Sequence, residues 1–352
     1  MSDISTNTSD IAENTANNNR AALLAKATLS ADFANNKYEL YDGPVNSLTT
    51  VAFGGMFTFD RNSAATARTA IQTLEAVSTD QQRLIGNREG LLVEEERTNL
   101  FLNSDTLSTQ DVTVAAKEHT LHFTGTGTVT LSGTFTGSLV GTGTGEANRV
   151  SLTFTPTAGT LTATVTGSVV DAQVEEGSFP TSYIPTAGTQ VTRAADNCVR
   201  TLGDEFNPNE FSFYLEAPIP RLFDDRNAHL IEFSDGANNN RYILQRVVNS
   251  TDLVFAGITS ANGVIFTMTL GIAALSNQTA KISASVSSTS ATLVVDGVSV
   301  SDTVSDALPV VTQFNLGAKW DGSNSIGEAV FKDVQLFPTA LSESELITLT
   351  GG

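Results

Sequence analysis

The 352-residue chain carries 19 Lys and Arg against 38 Asp and Glu, a formal net charge of 19 − 38 = −19. That balance repels phosphate backbones, and no basic cluster interleaves with aromatics, so nucleic acid is excluded as a partner. The single cysteine, Cys198, excludes an intrachain disulfide framework and reads as a small buried hydrophobe; no apolar run approaches the ~18 residues of a membrane span, which excludes membrane insertion.

The chain opens on two consecutive heptads, Ile4-Ser-Thr-Asn7-Thr8-Ser-Asp10 and Ile11-Ala-Glu-Asn14-Thr15-Ala-Asn17. Ile4 and Ile11 fall at a, Asn7 and Asn14 at d, of a seven-residue repeat. An Asn layer costs stability but fixes register and strand number when its amides find partners across the bundle axis. The unit resembles the Asn-at-d stalks of phage fibres and trimeric adhesins. That resemblance implies a homotrimer, with an anion held among three Asn side chains in the coiled-coil core. The alternative is a polar leader, since a helix below ~12–15 residues is marginal alone. Residues 20–29 (RAALLAKATL) are expected to continue the helix, so 1–40 reads as a helical trimerisation and attachment segment. Residues 1–19 contain no Lys or Arg and therefore no secretion signal, so assembly in a host cytoplasm and release by lysis are expected.

Turns follow at Asn35-Asn36 and Asp42-Gly43-Pro44, and residues 41–110 read as a β-rich connecting region with Gly54-Gly55 as a bulge or turn. Three blocks then occur in order: TFDRNSAAT at 58–66, GLLVEEERTNLFLNS at 90–104, and QVEEGSFPTSYIPTAGTQVTRAAD at 173–196. They resemble a module of phage tail and fibre proteins, over about 58–196. The segment 67–89 departs from that pattern, which leaves a loop or a short helix open there. Leu91, Leu92 and Val93 read as a buried strand after a Gly90 turn. Glu94, Glu95, Glu96 and Arg97 form a charge cluster expected to pair structurally. Adjacent strand residues alternate faces, whereas a glycosidase needs two carboxylates in one cleft.

Residues 111–196 read as a small Thr/Gly-rich β-sandwich: period-2 patterning, β-branched Thr and frequent Gly. Leu121, Phe123, Val129, Leu131, Phe135, Leu152, Phe154, Leu161 and Val165 supply its core. His119 and His122, three apart on a strand, point to opposite faces and cannot chelate one ion together; with His229 they are expected at the surface or an interface.

From 197 to 352 about nine strands separated by Asn/Asp/Gly/Ser turns point to a jelly roll, with Asp296-Gly297 as a hairpin turn. The ending, Gly317–Trp320 through Phe331–Phe337 to Ala340–Leu346, resembles the last strands and helix of concanavalin A-like, laminin-G-like domains. Ser342 and Glu345 have capping-box spacing. Lectin-like loops bind sugar with Asp, Asn and an aromatic. The candidates lie at Asp224, Asp225, Asp235, Asn238, Asn239, Asn240, Arg241 and Tyr242 and, near the other end, Trp320, Asp321 and Asn324. Of these Asp235, Asn239, Tyr242, Trp320 and Asp321 form the proposed glycan set. Trp320, the only Trp, is either a stacking platform or a half-buried core residue. Acidic loops leave Ca²⁺ open, without D-x-D-x-D spacing. No nucleophile elbow, His–Glu pair or phosphate loop occurs, so no enzyme activity or cofactor is expected.

The expected protein is thus mainly β, with an N-terminal trimeric helix, a β-sandwich and a lectin-like jelly roll. The resemblances imply a phage virion fibre that docks on other virion proteins by its N-terminus and binds host cell-surface polysaccharide. The alternatives are a passive decoration protein without glycan binding, a bacterial adhesin, and a glycan hydrolase.

Overall fold

The computed structural model describes residues 3–42, 47–69, 71–86, 89–223, 225–260, 263–272, 278–323 and 326–351, with side chains of the first helix described from Glu13. The protein is mainly β and divides into two compact units. One comprises Met1–Phe59, Arg88–Val93 and Asn197–Gly352; the other comprises Asp60–Asn87 and Glu94–Asp196. The serial domains expected from sequence give way to this interleaved division, in which the 41–110 region is shared out between the two units.

The first unit is a two-layer sandwich. Its eight-stranded sheet runs Val298–Thr303, Ser290–Val295, Thr279–Val286, Phe211–Pro218, Asp333–Phe337, Leu29–Asp32, Lys37–Asp42, Ser47–Thr50. Its seven-stranded sheet runs Gly263–Gly271, Asp252–Thr259, Arg241–Arg246, Ala228–Ser234, Gln313–Leu316, Asn197–Thr201, Thr58–Asp60. Alternation sends every second side chain inward. Phe213 of the first sheet lies 5.8 Å from Phe233 and 5.5 Å from Phe255 of the second. Phe211 packs edge-on against Tyr242 at 5.0 Å.

Tyr214, out of phase with Phe213, faces the other side of its sheet. There the C-terminal helix Glu343–Thr350 covers it with Leu346 and Leu349, joined by Leu23 and Ala27. Both leucines are fully buried, a gain of about 1.5–3 kcal/mol each. Ser342 and Glu345 form the expected capping box. Asp296 and Gly297 both take positive φ (46° and 82°), as a tight hairpin turn requires.

The N-terminal helix Asp3–Leu24 spans both heptads. Asn14 is exposed, while the side chains of Ile4, Asn7 and Ile11 lie outside the described residues. Its last turn is docked by Arg20, which donates to the Leu349 carbonyl (3.0 Å) and to the Tyr214 hydroxyl (2.9 Å). The helix stops at Leu24 rather than running to Leu29. Leu29, Ala31 and Phe33 are buried at period two, and Leu29 pairs with Leu336 in the sheet. Strand pairing here prevails over the helix propensity of the Ala-rich stretch before it. Residues 53–56 form a short helix instead of a bulge.

In the second unit a four-stranded sheet (Gln110–Val114, Gly159–Thr166, Thr128–Gly133, Gly137–Val140) and a three-stranded sheet (Val150–Phe154, His119–Gly125, Val169–Glu176) share one core. All nine apolar residues expected in that core belong to it, with Phe135, Leu152 and Val165 at its margin. The departing segment holds strands at Ala65–Arg68, Leu74–Val77 and Arg83–Ile85. His119, His122 and His229 are all buried, not surface residues. His122 stands 3.3 Å from Glu175, and His119 Nδ1 donates to the Lys117 carbonyl (2.8 Å).

The three sequence blocks meet in a buried ionic cluster of the second unit. Asp196 takes Arg61 (3.2 Å) on one oxygen and Arg83 on the other. Glu94 takes Arg83 (2.5 Å) and Arg193 (3.2 Å), and accepts from the Ser182 amide (2.7 Å) and hydroxyl (2.6 Å). Glu95 pairs with Arg97. Only Glu96 of the acidic run is exposed.

Candidate binding cleft

The C-terminal helix, with Leu23 and Ala27, packs on part of the outer face of the eight-stranded sheet. On the seven-stranded sheet the outward residues line a cleft of about 480 Å³. Strand Arg241–Arg246 shows why: Tyr242 and Leu244 turn inward and are fully buried, so Arg241, Ile243 and Gln245 turn outward to line the cleft. Ile258 comes from the next strand and His229 from the previous one. Asn238, Asp225, Arg226 and Asn227 come from adjoining loops. Lys319, Trp320 and Asp321 arrive on the loop after Gln313–Leu316.

Glu232 lies beneath this lining and is fully buried. One carboxylate oxygen is 2.6 Å from His229 Nδ1; the other accepts from the Trp320 amide at 3.3 Å and stands 3.5 Å from an Arg241 guanidinium nitrogen. A single buried carboxylate therefore holds three elements of the wall in place. A buried charge is tolerated when it is met from several sides in this way. The loop is braced further by Gln313, which donates to the Trp320 carbonyl (3.4 Å). Trp320 itself is half-buried. Asp321 is exposed and accepts both the Ser323 amide (2.9 Å) and hydroxyl (2.5 Å). The Ser323 hydroxyl, with burial opposing it and the Ser323 amide adding to it, holds the Asp321 carboxyl below its ordinary range.

Of the residues expected to form a glycan set, the cleft brings together Trp320 and Asp321. Tyr242 is a correction: its ring lies in the core, 5.0 Å from Phe211 and 6.2 Å from Phe266. Period two decides this, because Tyr242 shares its phase with Leu244. Asp235 closes its own turn, accepting from the Ala237 amide (2.9 Å) and the Asn240 side chain (2.8 Å), and does not line the cleft. Asn239 is exposed on that turn, while its neighbour Asn238 reaches the wall. Asp224 and Asn324 lie outside the described residues. The sequence reading took His229 as a surface or interface residue and passed over Glu232 and Gln245; alternation from inward Phe233 and Tyr242 would have identified both, whereas His229 lies across a bulge from Ile231.

An indole face, apolar Ile243 and Ile258, and amide, guanidinium, ammonium and carboxylate groups surround a space large enough for a sugar ring. Among the described residues no group of three or more His, Cys, Asp or Glu is placed to hold a metal ion, and no helix is long and apolar enough to cross a membrane.

No protein-family model matches the sequence, and no curated protein matches it. Solved structures do align with it. One is the carbohydrate-binding module CBM40 of the Ruminococcus gnavus IT-sialidase bound to alpha2,3 sialyllactose, at 15% identity and a TM-score of 0.34, over 41% of this chain and 84% of that one. Another is the NanB sialidase from Streptococcus pneumoniae, at 15% identity and a TM-score of 0.35, over 41% of this chain and 24% of that one. The binding domain of botulinum neurotoxin serotype G aligns at 11% identity and a TM-score of 0.36, over 44% and 39%. Superpositions this partial assign neither a family nor a ligand.

Proposed function

We propose that this chain is a trimeric phage virion fibre that docks on the particle through its N-terminal heptads and binds host surface glycan in the Trp320 cleft. The cleft carries the reading: a lone Trp, half-buried among polar side chains on the outer face of the seven-stranded sheet. The fibre assignment rests on the heptads and the three sequence blocks, which resemble phage fibre modules. A polar wall with one aromatic platform suits weak sugar contacts, and three copies on one stalk would multiply them by avidity. No catalytic step belongs to this reading, and assembly inside the host cell followed by release on the particle goes with it.

The test is binding of labelled full-length protein to host cells, with and without purified host polysaccharide, beside Trp320→Ala. Saturable binding that polysaccharide abolishes, and that Trp320→Ala loses while its far-UV circular dichroism is unchanged, is the expected result. Absence of binding by folded, trimeric protein would overturn the glycan reading and leave a passive structural spacer.

A further inference from the structure

The cleft differs in charge from the rest of the molecule. Across the chain, acids outnumber bases 38 to 19. On the cleft wall three cations, Arg226, Arg241 and Lys319, face two carboxylates, Asp225 and Asp321. Both carboxylates are engaged: Asp225 lies 3.4 Å from Arg226, and Asp321 takes two bonds from Ser323. Arg241 is a largely buried cation that is incompletely satisfied. Its only carboxylate partner among the described residues is Glu232 at 3.5 Å, and Glu232 is already held by His229 and by the Trp320 amide. Its Nε is buried without a hydrogen-bond partner, and the side chain is 18% exposed. A guanidinium has five N–H donors in a planar fork, so most of this group's capacity is unspent at the mouth of a sugar-sized cleft.

We propose that the cleft selects an acidic glycan, with a sugar carboxylate taken by the fork of Arg241 beside the indole of Trp320. This rests on the glycan reading above and narrows it. A carboxylate matches the fork in two parallel N–H···O bonds, which a neutral hydroxyl cannot do. Lys319 adds a second positive charge on the same wall, while Asp321 and Asn238 remain as partners for ring hydroxyls. Glu232 is the positioning residue: it orients Arg241, His229 and the Trp320 backbone together without reaching the ligand itself.

The test uses full-length protein and a panel of bacterial capsular polysaccharides, each paired with its carboxyl-reduced form, in which every uronic acid has become a neutral hexose. Per-site affinity is read by calorimetry on short oligosaccharides cut from any polysaccharide that binds. The expected result is binding to carboxylated members, lost on reduction and weakened by added salt. Arg241→Gln should bind about tenfold to a hundredfold more weakly, the range of a charge-assisted pair. Arg241→Lys keeps the charge beside Glu232, so it guards against misfolding, and should recover only part of the loss because the fork is gone. Equal binding to reduced and unreduced forms, or binding that Arg241→Gln leaves intact, would overturn the acidic-sugar proposal while the glycan reading survived. No binding to any member by folded protein would overturn both.

Discussion

Asp196→Asn tests the ionic cluster that ties the second unit together. Arg61, Arg83 and Arg193 are each buried to 1% exposure or less, and they face Glu94 and Asp196, so the inner cluster carries +3 − 2 = +1. The substitution makes it +3 − 1 = +2, with the Arg61 and Arg83 contacts to Asp196 lost as ion pairs. Removing one partner of a buried pair costs about 3–5 kcal/mol, because the charge left behind stays out of water. The residues involved lie near every point where the chain passes between units: Arg61 after 59, Arg83 before 88, Glu94 after 93 and Asp196 before 197. The cluster therefore closes the ends of both segments that build the second unit.

The readout must belong to that unit. Trp320, the only Trp, lies in the other one, so its fluorescence does not report on the cluster. Amide hydrogen exchange of His119–Gly125 and Val169–Glu176 does. With tenfold per 1.4 kcal/mol, protection there should fall by roughly two to three and a half powers of ten. Lys117→Ala, which removes an exposed pair with Glu176, is the control and should change protection by less than about fivefold. If Asp196→Asn behaved like Lys117→Ala, the cluster would not be holding the unit together. The pH dependence follows from Glu94. Burial pushes its carboxyl up, but Arg193 and Arg83, with the Ser182 hydroxyl, outweigh burial and hold it far below its ordinary range. Its contribution is complete above the unfolded value of about 4.3 and is lost as pH falls through the lower native value. Protection should be level from pH 8 to about 5 and collapse in stronger acid.

Asp333 should act in the opposite sense. Burial raises its carboxyl to about 7, with Asp32 and Glu216 adding to that and Gln335 and Arg20 opposing it. The native state then keeps a proton that the unfolded chain releases, so stability falls as pH climbs from about 4 to 7, and Asp333→Asn should gain on the wild type across that window, by roughly 4 kcal/mol at most. Urea midpoints followed by Trp320 fluorescence measure this, and a pH-independent difference would refute it. Ser342→Ala removes the cap of the C-terminal helix and should cost about 1 kcal/mol in the same titration. Tyr242→Phe removes a buried hydroxyl that lacks a partner, so stability should hold or rise by about 1 kcal/mol, with glycan binding unchanged; lost binding would return Tyr242 to the site. Ile4→Ser with Ile11→Ser should convert the proposed trimer to monomer in sedimentation velocity, and an unaltered coefficient would remove the heptads from assembly.

Much of the fold could be read from residues whose local and long-range preferences agree. The strands from Phe211 to Phe337, the Asp296-Gly297 turn and the Ser342 cap all follow from period-two patterning or turn and cap chemistry within a few residues. The failures lie where a distant partner decides. Leu29–Asp32 is a strand because Asp333–Phe337, some 300 residues away, offers its edge. No window around Leu29 contains that information, and the Ala-rich run before it argues for helix. Interleaving of the two units is illegible for the same reason: strand Gly90–Glu94 crosses the boundary in mid-element.

The cleft shows a narrower version of the same limit. Loop composition singled out Asp235, Asn239 and Tyr242 because these residue types bind sugars, but composition does not say which way a side chain points. Once the core fixes Tyr242 inward, Arg241, Ile243 and Gln245 must face out, and they line the cleft on the outer side of the seven-stranded sheet. Trp320 joins it because Glu232, out of phase with inward Phe233, receives the loop amide. A carboxylate that touches three wall elements makes the cleft a preorganised surface rather than a gap between loops. Under the proposed glycan reading, affinity should then depend as much on Glu232, which lies buried beneath the wall, as on the Trp320 indole that lines it.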